Sequence, residues 1–183
     1  MKEEELIKKA QTRDPEAFGL LYDQYLPAIY RFILLKIGDK VTTEDLAHQV
    51  FLSAWQNIEK YKIQGFPFSS WLYRIAHNAV IDYYRTDKKN LNLESIAETA
   101  AVNNLEEKID QEFELNIIKA ALKELPEEQQ SIIIMRFVED MTNEEIAVAL
   151  GKNEGAIRTA QHRSLENIRK IVNEKYNRKI KEV

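Results

Sequence analysis

Residues 66–85 read FPFSSWLYRIAHNAVIDYYR, an aromatic-rich stretch that leaves a Gly65-Phe66-Pro67 loop and continues with helical spacing. On a helical wheel Leu72, Ile75, Ala76, Ala79 and Tyr83 share one stripe, which reads as a core face. Trp71, Arg74, Asn78, Asp82 and Arg85 fall on the opposite stripe. A large ring in line with cations and an amide suits a single nucleic-acid strand. Bases stack on rings at about 1–3 kcal/mol each, and guanidinium groups hold phosphates. An amphipathic helix with a half-buried Trp71 and solvated charges fits the same pattern. The stretch alone leaves both readings open.

The composition limits the surrounding fold. Of 183 residues, 44% are hydrophobic and 31% charged, with only five glycines and four prolines, as suits small helical units. Cysteine is absent, which excludes disulfides and thiolate metal sites and fits a reducing cytoplasm. The N-terminus MKEEELIKKAQ has no continuous apolar run, so no signal peptide is expected, and no apolar stretch approaches a membrane span. The net charge is −4, yet residues 91–110 carry one cation against five acids, which accounts for all of it. Residues 158–183 hold eight cations against three acids, so a basic surface lies at the C-terminal end.

Outward from the aromatic stretch, the chain reads as successive helices. Residues 3–11 form a short one, and Asp14-Pro15 opens the next with proline at its first position. Ala17, Leu20, Leu21, Tyr25, Ile29, Phe32 and Ile33 give that helix a core stripe. Thr42 to Ile58 is a further helix, with Thr42 and Asp45 at capping-box spacing. Its apolar lines, Leu46-Val50-Ala54 and Ala47-Phe51-Trp55-Ile58, exceed what a small bundle needs. The remainder, including Asp45, His48, Gln49 and Leu52, fits either docking on another protein or a solvated back. The loop Glu59–Phe68 carries Tyr61, Phe66 and Phe68, which suit an unstacked base or a plug for the bundle end.

From Thr86 to Asp110 the periodicity breaks down, apart from a helical turn expected near Leu91 to Ile96. A segment of this length predicts a linker of low order between two domains. A helix follows over Phe113, Ile117, Ala120, Ala121 and Leu125, stopped by Pro126, and another carries Ile132, Ile133 and Met135. Thr142 and Glu145 then make a complete capping box, Gly151 ends the helix, and a new helix starts at Glu154 with Ile157, Leu165, Ile168 and Val172 inward. Helix, glycine turn, helix is helix-turn-helix geometry. Its second helix shows Arg158, Thr159, His162, Arg163 and Arg169 outward, side chains suited to a major groove and its flanking phosphates.

In this order the segments resemble the extracytoplasmic-function (ECF, group 4) sigma factors of bacterial RNA polymerase. AFGLLYDQYLPAIYRF, TTEDLAHQVFLSAW and FSSWLYRIAHNAVIDYYR are similar to region 2, and LPEEQQSIIIMRFVEDMTNEEIAVALGKNEGAIRTAQHR to region 4. The resemblance implies an all-α chain of two small helical domains: region 2 over 1–90, an acidic linker over 91–110 and region 4 over 111–183. It implies that Asp45, His48, Gln49, Phe51 and Leu52 meet the β′ clamp helices of core polymerase. Lys62, Phe66, Phe68, Ser69, Trp71, Arg74, Asn78 and Arg85 would capture the melted nontemplate strand of the −10 element. Glu154, Arg158, Thr159, His162, Arg163 and Arg169 would read the −35 duplex, with region 4 also meeting the β flap. An anti-sigma factor is implied as a further partner. No catalytic residue, cofactor or metal is expected: His48, His77 and His162 lie on separate helices, and no nucleophile–base pair or phosphate-cradling glycine loop stands out. The chain departs from the family pattern at His48-Gln49, Ala160, Gln161 and Glu166. A conventional helix-turn-helix regulator, with residues 1–90 as an interaction domain, is the alternative.

Overall fold

The computed structural model describes residues 2–63, 65–90 and 120–181, and every regular element among them is helical. The front half contains α1 (Glu3–Gln11), α2 (Pro15–Ile37), α3 (Lys40–Asn57), a 3₁₀ turn (Ile58–Lys60) and α4 (Phe68–Asn90). The rear half has a helical stretch at 120–124, then α5 (Glu127–Phe137), α6 (Asn143–Leu150) and α7 (Glu154–Lys181). The linker expected over 91–110, its turn near Leu91–Ile96 and the start of the helix expected from residue 111 lie outside the described residues. Among the described residues no helix is long and apolar enough to cross a membrane.

The helix limits follow from local chemistry. The Asp14 carboxylate accepts from the Glu16 and Ala17 amides at 3.0 and 3.1 Å, and Pro15 follows it with no amide to satisfy. Gly38 ends α2 in the left-handed region (φ 83°), its amide donating to the Leu34 carbonyl. The next helix begins at once. Asp39, not Thr42, is its N-cap, accepting from the Thr42 amide at 2.8 Å, so α3 starts earlier than the capping-box spacing predicts. Pro27 sits inside α2 without ending it. Likewise α4 runs through Thr86–Asn90, where the sequence pattern had already faded. In the rear half Thr142 and Glu145 form the expected reciprocal cap, and Gly151 ends α6 at φ 65°.

The front core gathers Leu21, Ile29, Phe32 and Ile33 of α2, Leu46, Val50 and Ala54 of α3, and Leu72, Ala76 and Val80 of α4, all buried. Leu20, expected on the core stripe of α2, is 52% exposed, while Tyr73 and His77 of α4 are buried. They are buried because Tyr73 sets its edge on Phe32 at 5.4 Å and because α5 and α6 of the rear half pack onto α2 and α4. Polar links cross this seam. Arg31 of α2 donates from Nε and Nη2 to both carboxylate oxygens of Glu139, at 2.7 and 2.6 Å. Lys36 Nζ donates to Ser131 Oγ at 2.5 Å and to the Glu127 carbonyl at 3.1 Å. His77 Nδ1 lies 3.1 Å from the same serine hydroxyl.

Two stability changes are expected from these features. Thr142→Ala removes the α6 cap and lowers unfolding free energy by about 1 kcal/mol in a urea titration; an unchanged midpoint would contradict the capping assignment. Burial, then the nearby Lys36 charge, holds the His77 imidazole down at about 4, against an ordinary 6.5. The unfolded chain therefore binds the extra proton first. The stability that a neutral His77 confers is complete above pH 6.5 and is lost as pH falls from there through about 4. Melting temperature is expected to drop across that window more steeply for the wild type than for His77→Gln, and parallel curves would refute this.

Candidate nucleic-acid interface

The loop between the 3₁₀ turn and α4 is held by rings. Phe68, the first residue of α4, is 1% exposed, with its centroid 5.7 Å from Tyr25, 5.2 Å from Tyr61 and 5.3 Å from Trp71. Expecting it to meet a DNA base is therefore mistaken. At steps of four, Phe68, Leu72 and Ala76 share the inward stripe, so this ring anchors the loop from below. Tyr61 and Trp71 lie 5.1 Å apart above it, both half-buried, while Phe66 and Lys62 are exposed. The loop aromatics thus divide: Phe68 and Tyr61 plug the bundle end, and Phe66 remains outside.

Above this plug opens a cavity of about 210 Å³ lined by Lys60, Tyr61, Lys62, Phe66, Pro67, Trp71 and Arg74, with Val148 of α6 on its far wall. A polar groove continues from it between α3 and α4 through Lys60, Asn57, Ser53 and Asn78. Ring faces, three cations and amides along one track can hold stacked bases and the phosphates between them. Asn57 and Lys60 were missed by sequence reading. They lie at the end of α3 and in the 3₁₀ turn, and only the fold brings them to Trp71. Ser69 is half-buried beside the loop, and Ser70 is buried, its amide donating to the Pro67 carbonyl at 3.0 Å and its hydroxyl without a hydrogen-bond partner among the described residues. Arg85 is exposed and pairs with Asp82 at 3.0 Å. It follows Arg74 by 11 residues, about 16 Å along the helix axis, so α4 does not bring it to the aromatic cleft.

A second concave surface lies between α2 and α3. Pro15, Phe18, Tyr22, His48, Phe51, Leu52 and Trp55 line about 340 Å³ of largely apolar space. Asp45, His48 and Gln49 are all exposed, but only His48 lines this groove; Gln49 lines a separate cleft between α3 and α4 with Asn78 and Asp82, and Leu52 stands out at 57% exposure. Phe51, expected at this surface as a contact, is only 3% exposed; its edge rests on Tyr22 at 4.7 Å, and it forms the groove's floor. Phe18, 4.9 Å from Trp55, and Tyr22 were not anticipated here. Their three- and four-residue spacing from Pro15 off the core stripe was the available signal.

In the rear half, Arg158, Thr159, His162, Arg163 and Arg169 all face solvent on one side of α7. Asn153 Oδ1 accepts from the Ala156 amide at 2.8 Å, fixing the start of that helix after the Gly151 turn. Glu154 does not stand free: its carboxylate accepts from Arg158 Nε at 2.9 Å, an intrahelical pair on the exposed side of α7. His162 lies 3.6 Å from Glu166. Ile157 is buried, with Leu165 and Ile168 packed on the core, so one face of α7 is committed inward and the cationic face is left available.

Sequence comparison matches residues 21–90 to Sigma-70 region 2 and residues 115–168 to Sigma-70, region 4. The ECF RNA polymerase sigma factor BldN of Streptomyces coelicolor is 34% identical, over 92% of this chain and 65% of its own length. The ECF RNA polymerase sigma factor SigW of Bacillus subtilis is 30% identical, over 90% of this chain and 93% of its own. Among solved structures, CnrH in complex with the cytosolic domain of CnrY has the same fold, at TM-score 0.70 and 20% identity, with 92% of this chain and 96% of that one covered. The sigma factor RpoE of Bartonella quintana, solved with the anti-sigma factor NepR, gives 0.63 at 21% identity, covering 85% and 96%. A helical front half with an aromatic, cationic cleft and a rear helix-turn-helix, matched in order by both regions, make this chain a member of the ECF RNA polymerase sigma factors.

Proposed function

We propose that the chain docks on core RNA polymerase through the groove between α2 and α3, traps the nontemplate strand of a −10 element in the aromatic cleft and reads a −35 element with α7. On this reading residues 1–90 are the region 2 domain, 91–110 the linker and 111–183 the region 4 domain, which also meets the β flap. The observation that carries it is the convergence of Trp71, Arg74, Lys60 and Lys62 on one cleft. Ring stacking and phosphate contacts act together there, the combination a single strand requires. The chain performs no chemistry itself; in the cytoplasm it lends promoter specificity to the polymerase and holds the strands apart. Leu52 and the apolar groove beneath it fit a helical partner such as the β′ clamp helices. RpoE, whose fold this chain shares, was solved with an anti-sigma factor, which favours a partner of that class here.

Run-off transcription with purified core polymerase and a library of genomic fragments tests this reading and finds the promoter together. Discrete transcripts that depend on the chain are expected. Tight duplex binding by the chain alone, without any such transcript, would favour the conventional regulator.

Arg74→Ala is expected to impair open-complex formation while leaving polymerase binding intact, because its side chain is exposed at the cleft. Trp71→Ala should act in the same direction, with some loss of stability from its packing on Tyr61 and Phe68. Permanganate footprints matching the wild type for Arg74→Ala would count against the cleft. Arg163→Ala is expected to weaken duplex −35 binding by about 1–3 kcal/mol where the guanidinium reads a base edge. A loss equal across sequences, with a shallower salt slope, would mark a phosphate contact instead; equal affinities would exclude both.

A further inference from the structure

Helix α1 lies ahead of the stretch matched to Sigma-70 region 2, which starts at residue 21. It is nonetheless firmly seated, with Leu6, Ile7 and Ala10 buried in the front core. Its two ends hold the two ends of the loop that carries the cleft's rings and cations. At the C-terminal end Gln11 Nε2 donates to the Tyr61 carbonyl at 2.7 Å and to the Ile58 carbonyl at 3.2 Å. Both partners only accept, so the amide has to present its NH2 group, and both hydrogens are used. At the N-terminal end Glu3 accepts from the Tyr25 hydroxyl at 2.6 Å, and its other carboxylate oxygen lies 3.4 Å from the amide of Phe68, the first residue of α4. Burial, then the Glu3 carboxylate, drives the Tyr25 phenol far above its usual range, so the hydroxyl remains a donor. Arg13, in the turn after α1, adds a third tie: Nη1 donates to the Trp55 carbonyl at 2.8 Å, and Nε donates to Glu59 of the 3₁₀ turn.

Glu3 and Gln11 stand about 12 Å apart along the helix axis, so α1 is a strut across the base of the loop. Between the tied ends Lys62, Ile63, Gly65, Phe66 and Pro67 are exposed. The place of Lys62 and Phe66 beside Trp71 is therefore inherited from the ends. We propose that Glu3 and Gln11 are positioning residues for strand capture: by fixing Ile58 and Tyr61 on one side and Phe68 on the other, α1 sets Lys60, Tyr61 and Lys62 against Trp71 and Arg74, so that one strand meets them together. This rests on the reading of the cleft as a strand site. Neither side chain lines that cleft, so the effect passes through the loop backbone. Without the ties the loop ends drift, and a constellation that has to meet base and phosphate at once loses its supporting shell.

Gln11→Met keeps the reach of the side chain and removes both donors, whereas Gln11→Lys keeps a donor for the same carbonyls. The chain has only two tryptophans, Trp55 and Trp71, so fluorotryptophan labelling of the full-length protein gives two fluorine resonances, told apart with Trp71→Phe. Gln11→Met is expected to shift or broaden the Trp71 resonance. With core polymerase, on a promoter that the wild type opens, it should also lower permanganate reactivity by about fivefold or more, the scale of a lost hydrogen bond. Polymerase affinity and duplex −35 binding should stay at wild-type values, because Gln11 lines neither the α2–α3 groove nor the exposed side of α7. Gln11→Lys should bring both readings back. A residue that merely stabilised the fold would lower the melting temperature and leave opening, measured well below it, untouched. Glu3→Ala tests the other tie from the first turn of α1, with less risk to folding, and is expected to act in the same way. An unmoved Trp71 resonance in both variants overturns the proposal, as does polymerase affinity that falls in step with opening. Arg74→Ala separates the two ideas: if it impairs opening while the Gln11 and Glu3 variants open normally, the positioning role is wrong, and if it too opens normally, the cleft reading is at fault.

Discussion

An ammonium group sealed from water ties the halves of this molecule together. Burial pushes Lys36 down to about 8, so at neutral pH it still carries its charge inside the protein. The charge is tolerated because Ser131 Oγ and the Glu127 carbonyl stand within hydrogen-bond reach and the Phe32 ring lies 5.8 Å away. Both oxygens belong to α5. Lys36 itself is fixed from the front half, where the Tyr84 hydroxyl donates to its carbonyl at 2.6 Å at the end of α2. Such a buried charge contributes little net stability, since lost hydration offsets the bonds gained. What it imposes is position, because α5 cannot slide along α2 without leaving the ammonium bare. The serine is shared as well: its hydroxyl donates to the Glu127 carbonyl at 2.9 Å and accepts from Lys36, leaving Nδ1 of a neutral His77 to donate. A charged imidazole beside Lys36 would repel it, which is the second reason His77 resists protonation.

Glu139 is the matching element at the other side of the seam. Asp140 after it adopts φ 56°, a left-handed turn that aspartate tolerates better than most residues, and the chain reverses there into α6. The reversal leaves Glu139 between Arg31 and Tyr73. Burial, then the adjacent carboxylate, drives the Tyr73 phenol far above its usual range, so the ring stays a neutral donor. One turn after α5 therefore both orients the helix-turn-helix and supplies the anion that fixes it to the front half.

Much of this was legible in the sequence where the cause is local. The Thr142–Glu145 cap, the Gly151 stop and the Asp14-Pro15 start depend on residues within one turn of one another, and the structure has all three. Asp39 against Thr42 shows the limit. Both can cap, and the choice falls to the one that follows the left-handed Gly38 with no spacer. Periodicity identified the outward cations of α7 and the exposed Arg74 and Asn78, but misjudged Phe68, whose inward stripe becomes plain only when the wheel is extended back to the first turn of α4. It had no means of pairing Lys36 with Ser131, 95 residues away, or Arg31 with Glu139, 108 away. Helical spacing says which face a side chain occupies and is silent about what the face meets.

The three surfaces differ in how the packing of the rear half on the front half touches them. The groove between α2 and α3 is lined only by front-half residues, and Leu52 beside it stays in water. Arg158, Arg163, Arg169 and Lys170 of α7 are exposed. The aromatic cleft alone has a wall from the other half. On the proposed reading, the apolar groove is therefore open to a polymerase helix while the rear half stays packed on α2 and α4.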